Sequence, residues 1–396
     1  MTNTSRHSIA SRLGLLFITL ATVLLNTNNL DEVGMGKVAL LQFGLLLVTG
    51  LAGFVAASAV VYVRRTHSPR DFRWFAYGWC GVSAFTASSA GVALGAIPND
   101  WLEYSAVLGL LQSIVIFHSQ LLIASGKIKR NNNLQLIQVS LLLIAVIIEF
   151  IILDNNSVMG FAKALGEALI ITTLVSFFML RGSWRDKPTV EDGNSDRSDA
   201  RKKLLIYGSQ GSTGSILQLL TNRSNLSFLD HYSWSAGAGV YALVYYGAEA
   251  MWSVARALAP MVNSEVAMAD SKEKALEITK GYLKLTLLFT IPLVIVACLI
   301  PESIYEWVFS IEGVSFPLRL LAPGIVAGAV SSIIAHHLSG IGMHKWNTYT
   351  SGLGLVVLLS VGYYLIEDYG VCGAAIAASC AYSAQALGLI IGLKKV

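Results

Sequence analysis

The feature that most constrains this chain is a succession of twelve apolar stretches, each near the roughly 20 residues a helix needs to span a bilayer core. They fall at about 13–27, 38–63, 74–97, 104–126, 133–153 and 157–180, and resume after a polar break at about 204–222, 237–263, 282–300, 320–340, 347–366 and 370–393. Only 13% of the residues are charged and 54% are hydrophobic, against roughly 25% charged for a soluble domain. Backbone polar groups in lipid must be satisfied within the segment itself, so such stretches read as helices. The expected fold class is therefore all-α integral membrane, about 12 transmembrane helices in two six-helix bundles with a central cavity. The expected domains are an N-terminal bundle at 1–180, a cytoplasmic linker at 181–203 and a C-terminal bundle at 204–396.

The loops supply a second argument. Cytoplasmic loops carry an excess of Lys and Arg. With both termini inside, the cytoplasmic segments hold 23 of the 28 basic residues, among them Arg64, Arg65, Arg70, Arg73, Lys127, Lys129, Arg130, Arg201, Lys202 and Lys203. The opposite side holds Lys37, Arg223 and Arg319, together with acids such as Asp31, Glu32, Asp100, Glu302, Glu312 and Glu367. The net charge of +4 thus reflects sidedness, and no nucleic-acid partner is expected. Arg12 followed by Leu13 to Leu25 resembles the basic and apolar regions of a signal peptide, but no small-x-small site follows. A short first helix is the expected reading.

A short segment occurs twice. Gly34-Met35-Gly36-Lys37-Val38-Ala39-Leu40-Leu41-Gln42-Phe43-Gly44 returns 203 residues later as Gly237-Ala238-Gly239-Val240-Tyr241-Ala242-Leu243-Val244-Tyr245-Tyr246-Gly247, with five identities in eleven. Both copies open an apolar stretch, second in its half. Repeats of this kind in an apolar chain point to transporters, whose substrate path lies at the repeat interface. At the same offset the first copy leads to Gly53 where the second leads to Arg256, so function is expected where the halves diverge.

Ionisable groups inside spans cost roughly 2.5 to 3.5 kcal/mol each at a helix centre and mark functional sites. Tyr245, Glu249, Trp252 and Arg256 follow at i, i+4, i+7 and i+11 and share one helical face. That face is either a wall of a water-filled cavity, with Arg256 able to hold a phosphate and the aromatics able to stack on a sugar, or a structural link. Arg223, expected to close the seventh helix, is one of the few bases on the outer side. Lys163 and Glu167, at i and i+4, can pair with each other, with Glu149 at similar depth; the bland reading is a self-neutralising cluster, and the sharper one a proton or ion relay through Glu167, Lys163 or Glu149. Cys80, Cys298, Cys372 and Cys380 fall inside spans without a CxxC pair, and adjacent His336 and His337 lie on different helical faces, so no metal site is expected. No phosphate-binding GxxxxGK[ST] loop, catalytic string or cofactor motif is present, and no enzymatic activity is expected.

These residues carry a resemblance. Leu204-Leu205-Ile206-Tyr207-Gly208, Asn222-Arg223-Ser224-Asn225-Leu226, Gly237-Ala238-Gly239-Val240-Tyr241-Ala242 and Ala259-Pro260, with Gly36 to Gly53 before Arg64-Arg65 in the first half, are similar to the Wzx-type polysaccharide flippases of the superfamily that also contains the MATE exporters. The resemblance implies alternating access in a bacterial cytoplasmic membrane, with a lipid-linked oligosaccharide on undecaprenyl diphosphate as cargo for surface polysaccharide such as O-antigen or exopolysaccharide. It implies membrane lipid and a glycan polymerase as partners, and cavity bases, here Arg223 and Arg256, toward the diphosphate. The competing readings are a MATE-like antiporter of cationic drugs and an integral-membrane glycan polymerase or ligase, which would need a longer outer loop than the spans leave.

Overall fold

The computed structural model describes residues 3–95, 97–185 and 197–395, and among them the regular structure is helical throughout. The helices are α1 (Asn3–Asn29), α2 (Glu32–Ala56), α3 (Ser58–Val63), α4 (Pro69–Ala93), α5 (Leu102–Ala124), α6 (Ile128–Ile147), α7 (Val158–Met179), α8 (Arg197–His231), α9 (Ser235–Ala267), α10 (Lys272–Leu299), α11 (Glu302–Phe309), α12 (Ser315–Gly340) and α13 (His344–Lys394). The all-helical fold class holds. α13 is two helices, since Gly370 at φ +51° breaks the spiral, and α3 and α11 are too short to span a bilayer. Among the described residues the remaining long helices, with the two parts of α13 counted separately, number six before the central break and six after it. Seven helical segments of those residues are long and apolar enough to cross a membrane by length and composition. In α10 only 17% of the apolar window is buried, and in α6 only 22%; faces so apolar and so exposed suit lipid rather than water.

Two expected boundaries move. The first helix is 27 residues rather than short, because the polar residues before Gly14 continue the helix that the apolar run begins. α8 does not end near residues 222–223 but runs to His231, because Leu226 and Leu229 are buried and continue its inner face. Arg223 therefore sits within a helix. Of the expected linker, Asp186 to Asp196 lie outside the described residues, Ser183–Arg185 form a 3-10 turn, and α8 has begun by Arg197.

The chain divides into two compact units. The first comprises the segment up to Leu30 and Leu40–Ile216; the second comprises Asp31–Ala39 and Leu217–Val396. In the first unit α5 packs against α3, α4 and α7, and α6 against α1 and α7. Its core gathers Phe72, Cys80, Phe117, Leu121, Leu122 and Leu204. The start of α4 follows directly from Ser68-Pro69-Arg70-Asp71: Ser68 caps the helix, Pro69 occupies a position needing no N–H, and the Asp71 carboxylate accepts from the Ser68 N–H at 3.0 Å. Near that start, His67 Nε2 lies 3.3 Å from Asp199 Oδ2 on α8, while Lys203 Nζ lies 2.7 Å from the same oxygen.

That contact makes a testable latch ahead of the apolar part of α8. The hydrogen bond from Lys203, with the charges of Lys203, His67 and Lys202, holds the Asp199 carboxyl below its usual 3.8. A carboxyl lowered on folding stabilises the fold above its unfolded value and loses that contribution as pH falls through the folded one. Wild type and Asp199→Asn are therefore expected to differ in melting temperature at pH 5 and to converge as the pH falls below about 3.8. A difference that already vanishes by pH 6 would place the charge dependence elsewhere.

In the second unit α12 is central, packed against α9, α10 and α13. Small residues allow the close approach: a Cβ at Gly324 would lie 2.7 Å from the Ser379 Cα, and one at Gly328 would meet the Trp252 indole at 2.8 Å. Glu302, at the start of α11, accepts from the N–H groups of Val314 and Ser315 at 2.9 and 2.8 Å, so this acid satisfies two of the free donors at the N-terminus of α12.

Candidate functional site

The site is built on the facing sides of α8 and α9 in the second unit. On α9 the 3.6-residue repeat aligns Tyr241, Tyr245, Glu249, Trp252 and Arg256 on one face. On α8, Gln218, Asn222 and Asn225 follow at i, i+4 and i+7. Asn225 Nδ2 donates to Tyr241 Oη at 2.9 Å and to the Ala374 carbonyl at 2.8 Å, which joins α8, α9 and α13 through one amide.

Glu249 is the hub. Arg223 Nη2 donates to one of its oxygens at 3.2 Å and Arg256 Nη2 to the other at 3.4 Å. The two bases differ in environment: the Arg223 side chain is 9% exposed and the Arg256 side chain 51%, with Glu249 at 30%. Arg223 also lies over the rings of Tyr245, at 4.1 Å, and Tyr246, at 5.5 Å, and Arg256 lies 5.8 Å from the Trp252 ring. Two guanidinium groups on one carboxylate leave a local charge of +1. A desolvated cation stacked on aromatic faces and hydrogen-bonded to a carboxylate is a rigid arrangement, whereas the exposed Arg256 fork has N–H donors to spare.

Not all of the expected α9 face meets solvent. Tyr245 is buried, serving as the platform beneath Arg223, and Trp252 is 6% exposed with its indole N–H donated to the Ile325 carbonyl at 2.7 Å. Trp252 and Arg256 line a cavity of about 230 Å³ together with Gln218, Asn222, Gly328, Ser331, Ser332, Ala335, His336, Tyr382 and Gln385. The Trp252 ring packs edge-on against Tyr382, with centroids 5.2 Å apart, and against Tyr245 at 6.0 Å. Gln218 takes the Gln385 amide N–H on its carbonyl oxygen, with Ser351 Oγ at 3.4 Å from that oxygen, and donates to Asn222 Oδ1 at 3.1 Å. The sequence offered a signal for this amide chain, since Gln218, Asn222 and Gln385 are uncharged polar residues in otherwise apolar runs, but nothing local places them together.

The remaining sequence candidates lie in the first unit. Lys163 does not bond Glu167, which is exposed; its Nζ lies 2.6 Å from Glu149 Oε1. The reason is the π-helical turn Ile148–Ile152 ending α6, which carries Glu149 into a buried position beside α7. Asn155 Nδ2 donates to the other Glu149 oxygen at 2.9 Å. Glu149 and Lys163 thus form a satisfied pair. Of the histidines, His118 lies between Tyr77 Oη at 2.7 Å and Ser176 Oγ at 2.6 Å, and His337 Nδ1 lies 2.6 Å from Thr279 Oγ1.

No protein-family profile matches the sequence, and no curated protein sequence matches it. Solved structures do match in fold. An inward-closed structure of the lipid II flippase MurJ superposes with a TM-score of 0.75 at 14% identity, over 99% of this chain and 87% of that one. A Vibrio cholerae MATE transporter, VcmN, matches at TM-score 0.67 and 15% identity over 100% and 98% of the two chains. An outward-facing multidrug-resistance MATE transporter of the MOP superfamily matches at 0.66 and 18%, over 99% and 96%. At these identities the likeness is one of fold, and that fold is the one these membrane transporters and flippases share, traced here over essentially the whole chain.

Proposed function

We propose that this chain is a flippase that carries a polyprenyl-diphosphate-linked saccharide from the inner to the outer leaflet of a bacterial cytoplasmic membrane by alternating access, with both termini cytoplasmic. The observation that supports this most is the state of Glu249. A site for organic cations needs an uncompensated acid; here the carboxylate of the α8–α9 cluster is shared by Arg223 and Arg256, and the surplus charge is positive. Such a cluster favours an anionic head, and Arg256, exposed and with N–H groups to spare, is the side chain suited to a diphosphate. The prenyl tail can stay in the bilayer while the polar head crosses. A glycan polymerase on the outer side is the natural recipient of the flipped saccharide.

The test is leaflet-specific detection of lipid-linked oligosaccharide in cells lacking the protein. The cytoplasmic-leaflet pool is expected to accumulate, and plasmid-borne wild type to clear it. No accumulation, together with increased sensitivity to cationic drugs, would replace this reading with that of a cation antiporter. At the residue level, Arg256→Ala is expected to abolish clearance, and Arg256→Lys to restore only part of it, because an ammonium supplies charge without the bidentate fork. Full clearance by Arg256→Ala at wild-type expression would remove the residue from the substrate path.

A further inference from the structure

The cavity beside Arg256 holds more than a charge. Two hydroxyls among its lining residues have no hydrogen-bond partner among the described residues: Tyr382 Oη, on a residue 1% exposed, and Ser331 Oγ, on a residue 6% exposed. A buried hydroxyl left unmatched costs about 1–3 kcal/mol, and both of these belong to residues that line the cavity. A third lining residue, His336, has Nδ1 at 2.8 Å from the Ser332 carbonyl. A carbonyl only accepts, so Nδ1 carries a proton and donates in this contact.

The lining residues therefore carry donors and acceptors side by side: guanidinium N–H groups on Arg256, hydroxyls that do either on Ser331 and Tyr382, and the imidazole of His336. A cation would call for acceptors and a free phosphate for donors; a hydroxylated ring supplies both kinds of group in one body. Trp252 and Tyr382 add an aromatic wall against which ring C–H groups pack. The volume of about 230 Å³ lies below the roughly 300–1,000 Å³ of pockets that take drug-sized molecules and well above that of a single water, about 30 Å³ in the liquid.

We propose that this cavity is a monosaccharide subsite: it receives the one sugar ring bonded to the phosphate, with Arg256 at its edge for that phosphate and Tyr382, Ser331 and His336 reading the ring hydroxyls. The proposal rests on the flippase reading and deepens it by naming the part of the head that is recognised and the residues that recognise it. Selectivity for that first sugar then resides in the second unit, on α12 and α13, rather than in the Arg223–Glu249–Arg256 cluster.

The test uses the full-length protein purified in detergent, with melting temperature and tryptophan fluorescence as readouts. The probes are hexose 1-phosphates, N-acetylhexosamine 1-phosphates, inorganic diphosphate and tetraphenylphosphonium. At least one sugar 1-phosphate is expected to bind more tightly than inorganic diphosphate. Tyr382→Phe and Ser331→Ala should each weaken that sugar phosphate about ten-fold, the worth of one hydrogen bond, while leaving inorganic diphosphate unchanged; Arg256→Ala should weaken both. Each hydroxyl variant removes an unpartnered group, so the ligand-free protein should melt no lower than wild type. Sugar phosphates that bind no better than diphosphate, or that ignore Tyr382→Phe, overturn the subsite, and so does binding of tetraphenylphosphonium alone. The two readings fail separately. Accumulated lipid-linked oligosaccharide in deletion cells without Tyr382-dependent sugar binding leaves the flippase and removes the subsite; Tyr382-dependent sugar binding without accumulation does the reverse.

Discussion

Glu249→Ala is expected to destabilise the purified protein by about 3 kcal/mol, the lower end of the roughly 3–5 kcal/mol that follows when one partner of a buried pair is removed. The cost arises at Arg223 rather than at Glu249. Arg223 is 9% exposed and depends on this carboxylate for its compensating charge; the Tyr245 ring at 4.1 Å offsets only part of the loss. Arg256→Ala removes a bond to the same carboxylate but from a side chain that is 51% exposed, where a single ion pair contributes about 0–1 kcal/mol. Thermal melting in detergent should therefore separate the two variants widely, although both touch Glu249. The double variant Arg223→Met with Glu249→Leu should recover most of the stability, since an apolar pair of similar volume replaces a buried ion pair at little cost. Equal melting for Glu249→Ala and Arg256→Ala would mean that Arg223 is solvated well enough not to need its partner.

The contrast separates what the sequence made legible from what it hid. The all-helical fold and the polar face of the eighth stretch follow from hydropathy and a 3.6-residue period, which are local properties. Asn222-Arg223-Ser224-Asn225 reads locally as the end of a helix, because polar residues beside an apolar run suit loops. Their partners are distant in sequence: Arg223 meets Glu249, and Asn225 meets Tyr241 and the Ala374 carbonyl. Only those contacts make a polar stretch a helix interior. The i,i+4 rule likewise favoured Lys163 with Glu167, whereas the π-turn at Ile148–Ile152 brings Glu149 within 2.6 Å instead. The cavity was legible only in part: Trp252 and Arg256 announced themselves, while Tyr382, Ser331 and Gln385 are ordinary residues of apolar helices until tertiary packing sets them around one space.

The duplicated glycines give the second large effect. Within the second unit the two copies of the repeat pack on each other at their second glycine. A Cβ at Gly36 would lie 2.6 Å from the Ser235 carbonyl oxygen and 3.0 Å from the Gly239 nitrogen; one at Gly239 would lie 2.0 Å from the Glu32 carbonyl oxygen and 3.1 Å from the Gly36 nitrogen. The contact is reciprocal, each of the two glycines lying against the backbone nitrogen of the other. Backbone lies against backbone, so no side chain can move aside and the helices themselves must part. Gly239→Ala is expected to cost about 3 kcal/mol, the upper range for overpacking, despite the better helix propensity of alanine. Gly247, the third glycine of the same copy, has nothing within 4 Å of the place a methyl group would take, so Gly247→Ala should be neutral or stabilise by about 0.5–1 kcal/mol, the usual helical difference between the two residues. Melting temperatures that move in opposite directions for two Gly→Ala changes eight residues apart on one helix would show that the repeat is retained for the crossing it makes; a shared direction would reduce it to a propensity effect.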